Sequence, residues 1–279
     1  MAKPSKPLAG KRIVVTRAPE QSTEFMDQLR ALGAEVLLLP LVSFCEPEDL
    51  APLDEAVREL DKFDWIIFTS RNAVKFLASR FKAIQIPSER VNHLMLTPRV
   101  ATIGAATADE AVSVGFLPDY QAEKSTGEQL ALELQDQLRG KRVLLPRSDI
   151  ADSPLPRILR QAGAEVVDVV TYRTVAPQSV DTNVVDAIRQ GNVDVVTLFS
   201  PSAYHHLIEE IELDVLREHL GHALRRDSGK IVLATIGPTT TSAVRSDGLK
   251  VDIEAPNASA AALCEAIVNY FQERGQSRH

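Results

Sequence analysis

The chain predicts an α/β fold in which parallel sheets are covered by helices and one plan is used twice. Three observations carry that expectation. The stretch GKRIVVTR at 10–17 returns as GKRVLLPR at 140–147, and LRALGAEV at 29–36 returns as LRQAGAEV at 159–166, both with a shift of 130. Short apolar runs alternate with amphipathic stretches, the signature of parallel strands with crossover helices. The runs are almost unbroken Val, Ile and Leu, which suits sheets covered on both faces.

In chain order, strands are expected at 13–16, 36–39, 65–69, 100–103, 143–145, 166–170, 193–199 and 231–236. Helical patterns occupy 19–32, 71–80, 106–114, 126–138, 154–162, 203–211, 239–246 and 259–271. Gly33 and Gly163, just past the first helix of each half, fit the left-handed position that ends a helix. The repeat persists to Phe63-Asp64 and Val193-Asp194, then drifts to 133 at Ala101-Thr102-Ile103-Gly104 against Ala234-Thr235-Ile236-Gly237. Repetition alone suggests a cut near Arg139-Gly140. The equivalent segments 39–47 and 169–177 are extended and end in proline, however, so each can instead cross between two lobes. A duplicated α/β protein works in the cleft between its halves.

Composition bounds the function. At 279 residues, 44% hydrophobic and 25% charged, the chain can bury two cores. The longest apolar runs, such as 36–39 and 65–68, fall far short of the roughly 20 residues that cross a bilayer. The start, 1–9, is polar and proline-containing without the apolar centre of a secretory signal, so a cytoplasmic protein with a loose start is expected. Cys45 and Cys264 are too few for a disulfide scaffold and read as buried free thiols. A net charge of −7 argues against nucleic acid as a general partner without forbidding an anionic ligand, since binding follows the local field. With no long heptad or exposed apolar stripe, a monomer is expected.

The turns between strand ends and helix starts lie on one edge of a parallel sheet, where ligands bind. Here they are rich in hydroxyls: Thr16-Arg17-Ala18-Pro19, Thr69-Ser70-Arg71-Asn72, Gly104 to Thr107, Lys124-Ser125-Thr126-Gly127, Pro146-Arg147-Ser148, Ser200-Pro201-Ser202, Gly237-Pro238-Thr239-Thr240 and Pro256-Asn257-Ala258-Ser259. Plain N-capping explains any one of them. Together they make a set of neutral donors, each at the positive end of a helix dipole, suited to a ligand with many separate anionic groups. Arg17 and Arg147 stand at equivalent positions after strand ends and can pair with ligand carboxylates or form structural salt bridges. Lys11, Arg12, Lys141 and Arg142, at the opposite strand ends, are expected to face solvent. Neither a G-x-G-x-x-G after the first strand nor a P-loop occurs. His205, His206, His219 and His222 lie on helical, Glu-containing stretches and read as solvated surface rather than metal ligands. No nucleophile elbow is visible.

These residues resemble the uroporphyrinogen-III synthase family over about 10–271. The resemblance rests on Phe68-Thr69-Ser70, Val170-Thr171-Tyr172-Arg173-Thr174, Phe199-Ser200-Pro201-Ser202-Ala203 and Ile236-Gly237-Pro238-Thr239-Thr240, in that order within a duplicated chain. It implies two flavodoxin-like parallel-sheet lobes joined by a two-stranded crossing ladder. The first lobe would hold 1–40 and 175–279, the second 46–168, with 41–45 and 169–174 as crossing strands. It also implies a cofactor-free reaction needing neither metal nor organic group. In that reaction the linear tetrapyrrole hydroxymethylbilane, with eight carboxylates, closes to the type III macrocycle with loss of water and inversion of the last pyrrole ring.

Read by itself Tyr172 is first a packed strand tyrosine; under this resemblance it matches the family's active-site tyrosine, a proton donor to the departing oxygen. Thr239 and Thr240, Thr107, Ser200 and Ser202 match substrate-binding turns, and Thr16, Arg17, Ser70 and Arg147 complete the candidate donor set. Family members vary at Arg71-Asn72, and no contact is carried over there. The preceding enzyme of the pathway is an expected transient partner. Two other classes remain open: a two-lobed nucleotide-sugar glycosyltransferase, for which a diphosphate-binding glycine run is missing, and a hinged ligand-binding sensor.

Overall fold

Runs such as Trp65-Ile66-Ile67-Phe68 leave no polar face for water, so they are stable only where helices cover both sides of a sheet. The computed structural model describes residues 6–122, 127–151, 154–219 and 231–276. The expected turn at 124–126, the expected helix start at Thr126 and His222 lie outside the described residues. The strands are β1 (Arg12–Val15), β2 (Glu35–Leu38), β3 (Ser43–Cys45), β4 (Trp65–Phe68), β5 (Arg99–Thr102), β6 (Pro118–Gln121), β7 (Arg142–Ser148), β8 (Glu165–Val175), β9 (Val195–Leu198), β10 (Val232–Thr235) and β11 (Ile253–Glu254). The helices are α1 (Thr23–Ala31), α2 (Ala51–Arg58), α3 (Arg71–Ala83), α4 (Ser88–Leu96), α5 (Ala105–Val114), α6 (Gly127–Leu138), α7 (Leu155–Gln161), α8 (Thr182–Arg189), α9 (Pro201–Ile211), α10 (Leu213–His219), α11 (Pro238–Ser246) and α12 (Ala260–Gln276).

The chain forms two units. One holds the described residues up to Ser43 and from Val175 onward; the other is Phe44–Thr174. In the first unit the sheet order is β11-β10-β9-β1-β2, with each neighbouring pair parallel, which is the flavodoxin-like 2-1-3-4-5 arrangement. In the second it is β3-β8-β7-β4-β5-β6, and β7 holds the place that β1 holds in the first. The registers correspond: Ile13 lies opposite Val36 and Val195, while Val143 lies opposite Val166 and Trp65. The repeated motif therefore occupies the strand beside the switch point of each sheet, where the strand order reverses.

Period-two alternation sorts the second unit's core. Ile66 and Phe68 join Leu77, Phe81 and Leu94 on one face, and Trp65 and Ile67 join Leu130, Leu134 and Leu159 on the other. In the first unit Ile13, Val15 and Val195 meet Phe25 and Leu29 of α1 and Leu263 and Ile267 of α12. Each such side chain contributes about 1.5–3 kcal/mol by burial. Gly33 has φ +97°, and a Cβ there would come within 2.9 Å of the Lys6 Cβ, so any side chain at this place is strained.

Several expectations are corrected. Lys11 and Lys141 do not simply face solvent: each Nζ donates at 2.8 Å to Asp194 or Asp64, whose second oxygen accepts the Arg12 or Arg142 amide at 2.9 Å. The two repeat copies thus build the same carboxylate clamp at the amino ends of β1 and β7. It holds the Asp64 carboxyl below its ordinary pKa, chiefly through the Lys141 hydrogen bond. Cys45 is exposed rather than buried because it ends a strand at a sheet edge; Cys264 is buried. His206 and His219 are not merely solvated, since their rings bond the Leu41 and Arg189 carbonyls; His205 is exposed. The helix expected over 19–32 begins with a 3-10 turn at Pro19–Gln21, and the Ser22 hydroxyl donates to the Ala18 carbonyl at 2.8 Å. No helix among the described residues is long and apolar enough to cross a membrane.

One contrast between the copies bears on stability. Thr235 Oγ1 lies 2.6 Å from Thr241 Oγ1, but in the other copy the position that corresponds to Thr241 is Ala108, and the buried hydroxyl of Thr102, the counterpart of Thr235, has no partner. Thr102→Val is expected to raise stability by about 1 kcal/mol by removing an orphaned hydroxyl. Thr235→Val is expected to lower it by about as much. Urea unfolding of both variants checks the pair, and destabilisation by Thr102→Val would contradict the assignment.

Candidate active site

Where a parallel strand ends and a helix begins, the first helical N–H groups have no intrahelical partner. At the end of β4, Ser70 turns extended and its Oγ accepts the Ala73 amide at 3.1 Å; at the end of β9, Ser200 does the same for Ala203 at 3.1 Å. Each cap satisfies one donor of its turn. At the ends of β5 and β10 the cap positions are Gly104 and Gly237, which supply no side-chain cap. Gly104 has φ +78°, a conformation suited to glycine. Behind these glycines Thr107 is 5% and Thr240 2% exposed, whereas Thr239 is exposed and Ser202 half-buried. Among these threonines Thr239 is the exposed one, while Thr107 and Thr240 are buried.

Two candidates are occupied inside the fold. The Thr16 hydroxyl donates to the Thr197 carbonyl at 2.7 Å, tying β1 to β9. The Arg147 guanidinium grips Asp168 with Nε–Oδ1 2.6 Å and Nη2–Oδ2 2.7 Å, a bidentate pair between β7 and β8. Its counterpart Arg17 has Leu38 at the place of Asp168; Arg17 instead donates to Gln21 at 3.1 Å and lies 5.1 Å from the centre of the Phe199 ring. In the second unit a cavity of about 220 Å³ opens at these strand ends, lined by Thr69, Ile103, Leu145 and Arg147 among others.

Tyr172 lies in β8, 7% exposed. Phe76 of α3 stacks on its ring at 5.5 Å between centroids, and Phe44 of β3 meets it edge-on at 5.7 Å. Its Oη lies 3.1 Å from the capping Ser70 Oγ and is also hydrogen-bonded to Ser148 at the end of β7. Burial pushes the phenol above its ordinary pKa; the Ser70 and Ser148 hydroxyls oppose that rise, and the Asp149 charge adds to it. The phenol therefore stays protonated near neutral pH and can donate. Ser70 and Tyr172 are brought together here, joined by Ser148, which the turn-by-turn reading did not choose as a site residue. Phe44, Phe76 and Asp149 were not singled out either. The Tyr172 match, the candidate Ser70 and the hydroxyl-bearing turn that ends in Ser148 pointed to this corner in advance. Among the described residues no group of three or more His, Cys, Asp or Glu side chains is placed to hold a metal ion.

Residues 23–265 match the family model described as uroporphyrinogen-III synthase HemD. The uroporphyrinogen-III synthase of Synechococcus elongatus is 28% identical over 96% of this chain and 98% of its own length. The chloroplastic uroporphyrinogen-III synthase of Oryza sativa subsp. japonica is 29% identical over 95% of this chain and 82% of its own. Two solved structures share the fold. A mutant uroporphyrinogen III synthase of Thermus thermophilus aligns with TM-score 0.61 at 18% identity, covering 95% of this chain and 100% of that one. The Helicobacter pylori uroporphyrinogen-III synthetase gives 0.60 at 16%, covering 93% and 99%. The glycosyltransferase and sensor readings find no support among these relatives. With the family model spanning most of its length, the chain belongs to the uroporphyrinogen-III synthase family, enzymes of tetrapyrrole biosynthesis.

Proposed function

We propose that this enzyme closes hydroxymethylbilane to uroporphyrinogen III, and that Tyr172 donates the proton that releases the hydroxyl of the first ring. The observation that carries the reading is the Tyr172 phenol, kept neutral by burial and hydrogen-bonded by two serines at the carboxyl edge of its sheet. The phenol proton passes to the departing oxygen, the C–O bond breaks, and water leaves with the electron pair. The resulting cation, the N-protonated azafulvene, is attacked by the already substituted carbon of the last ring, giving a spiro intermediate. That intermediate fragments and recloses with the last ring turned, and loss of a ring proton restores aromaticity.

The bilane closes to the type I isomer without help, so the protein must favour one transition state over a competitor. Neutral donors suit that task. Capped helix starts at α3 and α9 and glycine-led starts at α5 and α11 offer N–H groups to acetate and propionate side chains, with Thr239, Ser200 and Ser202 beside them. Arg147, held by Asp168, supports the turn rather than the ligand in this reading. A single chain suffices for the chemistry, and contact with the preceding pathway enzyme is transient.

Hydroxymethylbilane generated in place, incubated with the protein, oxidised and separated by chromatography should yield mainly the type III porphyrin; the spontaneous type I product alone would refute the proposal. Tyr172→Phe should lower kcat by about 100-fold with KM little changed. Unchanged kcat would remove the donor role. Thr239→Ala should raise KM about three- to tenfold while leaving kcat and the unfolding midpoint near those of the parent; an unchanged KM would remove Thr239 from substrate binding.

A further inference from the structure

We infer that Ser148 and Asp149 are positioning residues that aim the Tyr172 phenol and receive the change in hydrogen bonding when its proton leaves; this rests on the proposed donor role of Tyr172. The Asp149 Oδ1 accepts the Ser148 hydroxyl at 3.0 Å and the Thr174 amide at 3.0 Å. Asp149 Oδ2 lies 3.7 Å from Arg173 Nε, and the Asp149 amide donates to the Tyr172 carbonyl at 3.1 Å. A carboxylate only accepts, so the single Ser148 proton is committed to Asp149 and the Ser148 oxygen offers lone pairs to its other neighbours. Those neighbours are the Thr174 hydroxyl at 3.0 Å and the Tyr172 phenol. On the far side, Ser70 Oγ accepts the Ala73 amide and has its own proton for the phenol oxygen. The chain of donors thus runs Ser70 to Tyr172 to Ser148 to Asp149, and the carboxylate fixes its direction.

The backbone is shaped to make this contact. Along β7 and β8 the register runs Arg147 opposite Val170, then Ser148 opposite Tyr172, so Thr171 is passed over. The Thr171 hydroxyl donates to the Arg147 carbonyl at 3.1 Å and holds the irregularity. An extra residue of this kind re-aims side chains, and here it sets Ser148 against the phenol. The first unit supplies an internal control. The positions related to 148, 149 and 172 by the repeat are Ala18, Pro19 and Val42, which carry neither hydroxyl nor carboxylate, whereas the cap Ser70 is kept as Ser200. The sheet can therefore be built without these groups.

When the departing oxygen takes the phenol proton, the electron pair stays on the Tyr172 oxygen. The Ser148 hydroxyl then turns from Asp149 to the phenolate, Ser70 remains a second donor, and Asp149 keeps the Thr174 amide and Arg173. Only the phenol proton leaves the network, and the ring proton released when aromaticity is restored returns the phenolate to phenol.

The test is a kinetic cycle on hydroxymethylbilane with Ser148→Ala, Asp149→Asn and Tyr172→Phe, singly and with each of the first two combined with the third. Circular dichroism and unfolding midpoints confirm that each variant folds; Asp149→Asn keeps an acceptor in place should Ser148→Ala fail to fold. Ser148→Ala and Asp149→Asn are each expected to lower kcat about tenfold with KM unchanged, and to have no further effect once Tyr172 is Phe. Equal losses in both backgrounds, or no loss in either, overturn the inference while leaving a slow Tyr172→Phe enzyme intact. An unimpaired Tyr172→Phe enzyme overturns the donor reading and this inference with it.

Discussion

Parallel strands all present their carboxyl ends on the same edge, and in each unit that geometry delivers a row of helix starts with unpartnered N–H groups. The rest of the molecule serves this constraint. At the opposite edge, Asp64 and Asp194 each bind a lysine ammonium and a backbone amide, pinning the first residues of β7 and β1 beside their neighbours. Strand registers follow from there, and the positions of Ser70 and Ser200 follow from the registers. Two caps related by the repeat end up with the same bond to the amide three residues on. A ligand rich in carboxylates can be read by such turns without one buried charge for every anionic group.

The second unit adds chemistry to this shared frame. Its irregular pairing at Thr171, the ring of Phe76 and the edge of Phe44 enclose a phenol that the equivalent place in the first unit does not have. Burial there costs the charged form more than the hydroxyls recover, so the group remains an acid near neutral pH. Asp149 contributes a fixed negative charge that disfavours phenolate while orienting Ser148. In the proposed reading the two units divide the work unevenly: both offer helix starts, and one carries the proton.

Much of the fold was legible because the repeat is written in buried strands. Gly10 to Arg17 and its copy carry unbroken apolar residues, and those mark β1 and β7 with little competition. Elements without such runs were not visible. The strand β6 reads Pro-Asp-Tyr-Gln, an edge strand whose Asp119 carboxylate accepts the Val100 amide, and β11 has only two residues. The helix α2 comes soon after Pro47 and carries Pro52 in its first turn, which masks its helical pattern although Leu53, Ala56 and Val57 are buried. At the site, Ser70, Ser200 and Tyr172 announced themselves as turn or strand residues, whereas Ser148 and Asp149 gain their meaning from a skipped register between strands about 25 residues apart, a tertiary fact. Arg147 looked like a ligand group because Asp168 becomes its neighbour only when β7 and β8 pair.

The central claim is that the Tyr172 phenol breaks the carbon–oxygen bond of the substrate. It is tested most directly by following loss of heavy oxygen from a bilane labelled in its hydroxymethyl group, in single turnovers of the parent and of Tyr172→Phe. The account predicts that the variant loses the label slowly, in step with slow ring closure. Label lost at the parental rate, with only closure delayed, would contradict it.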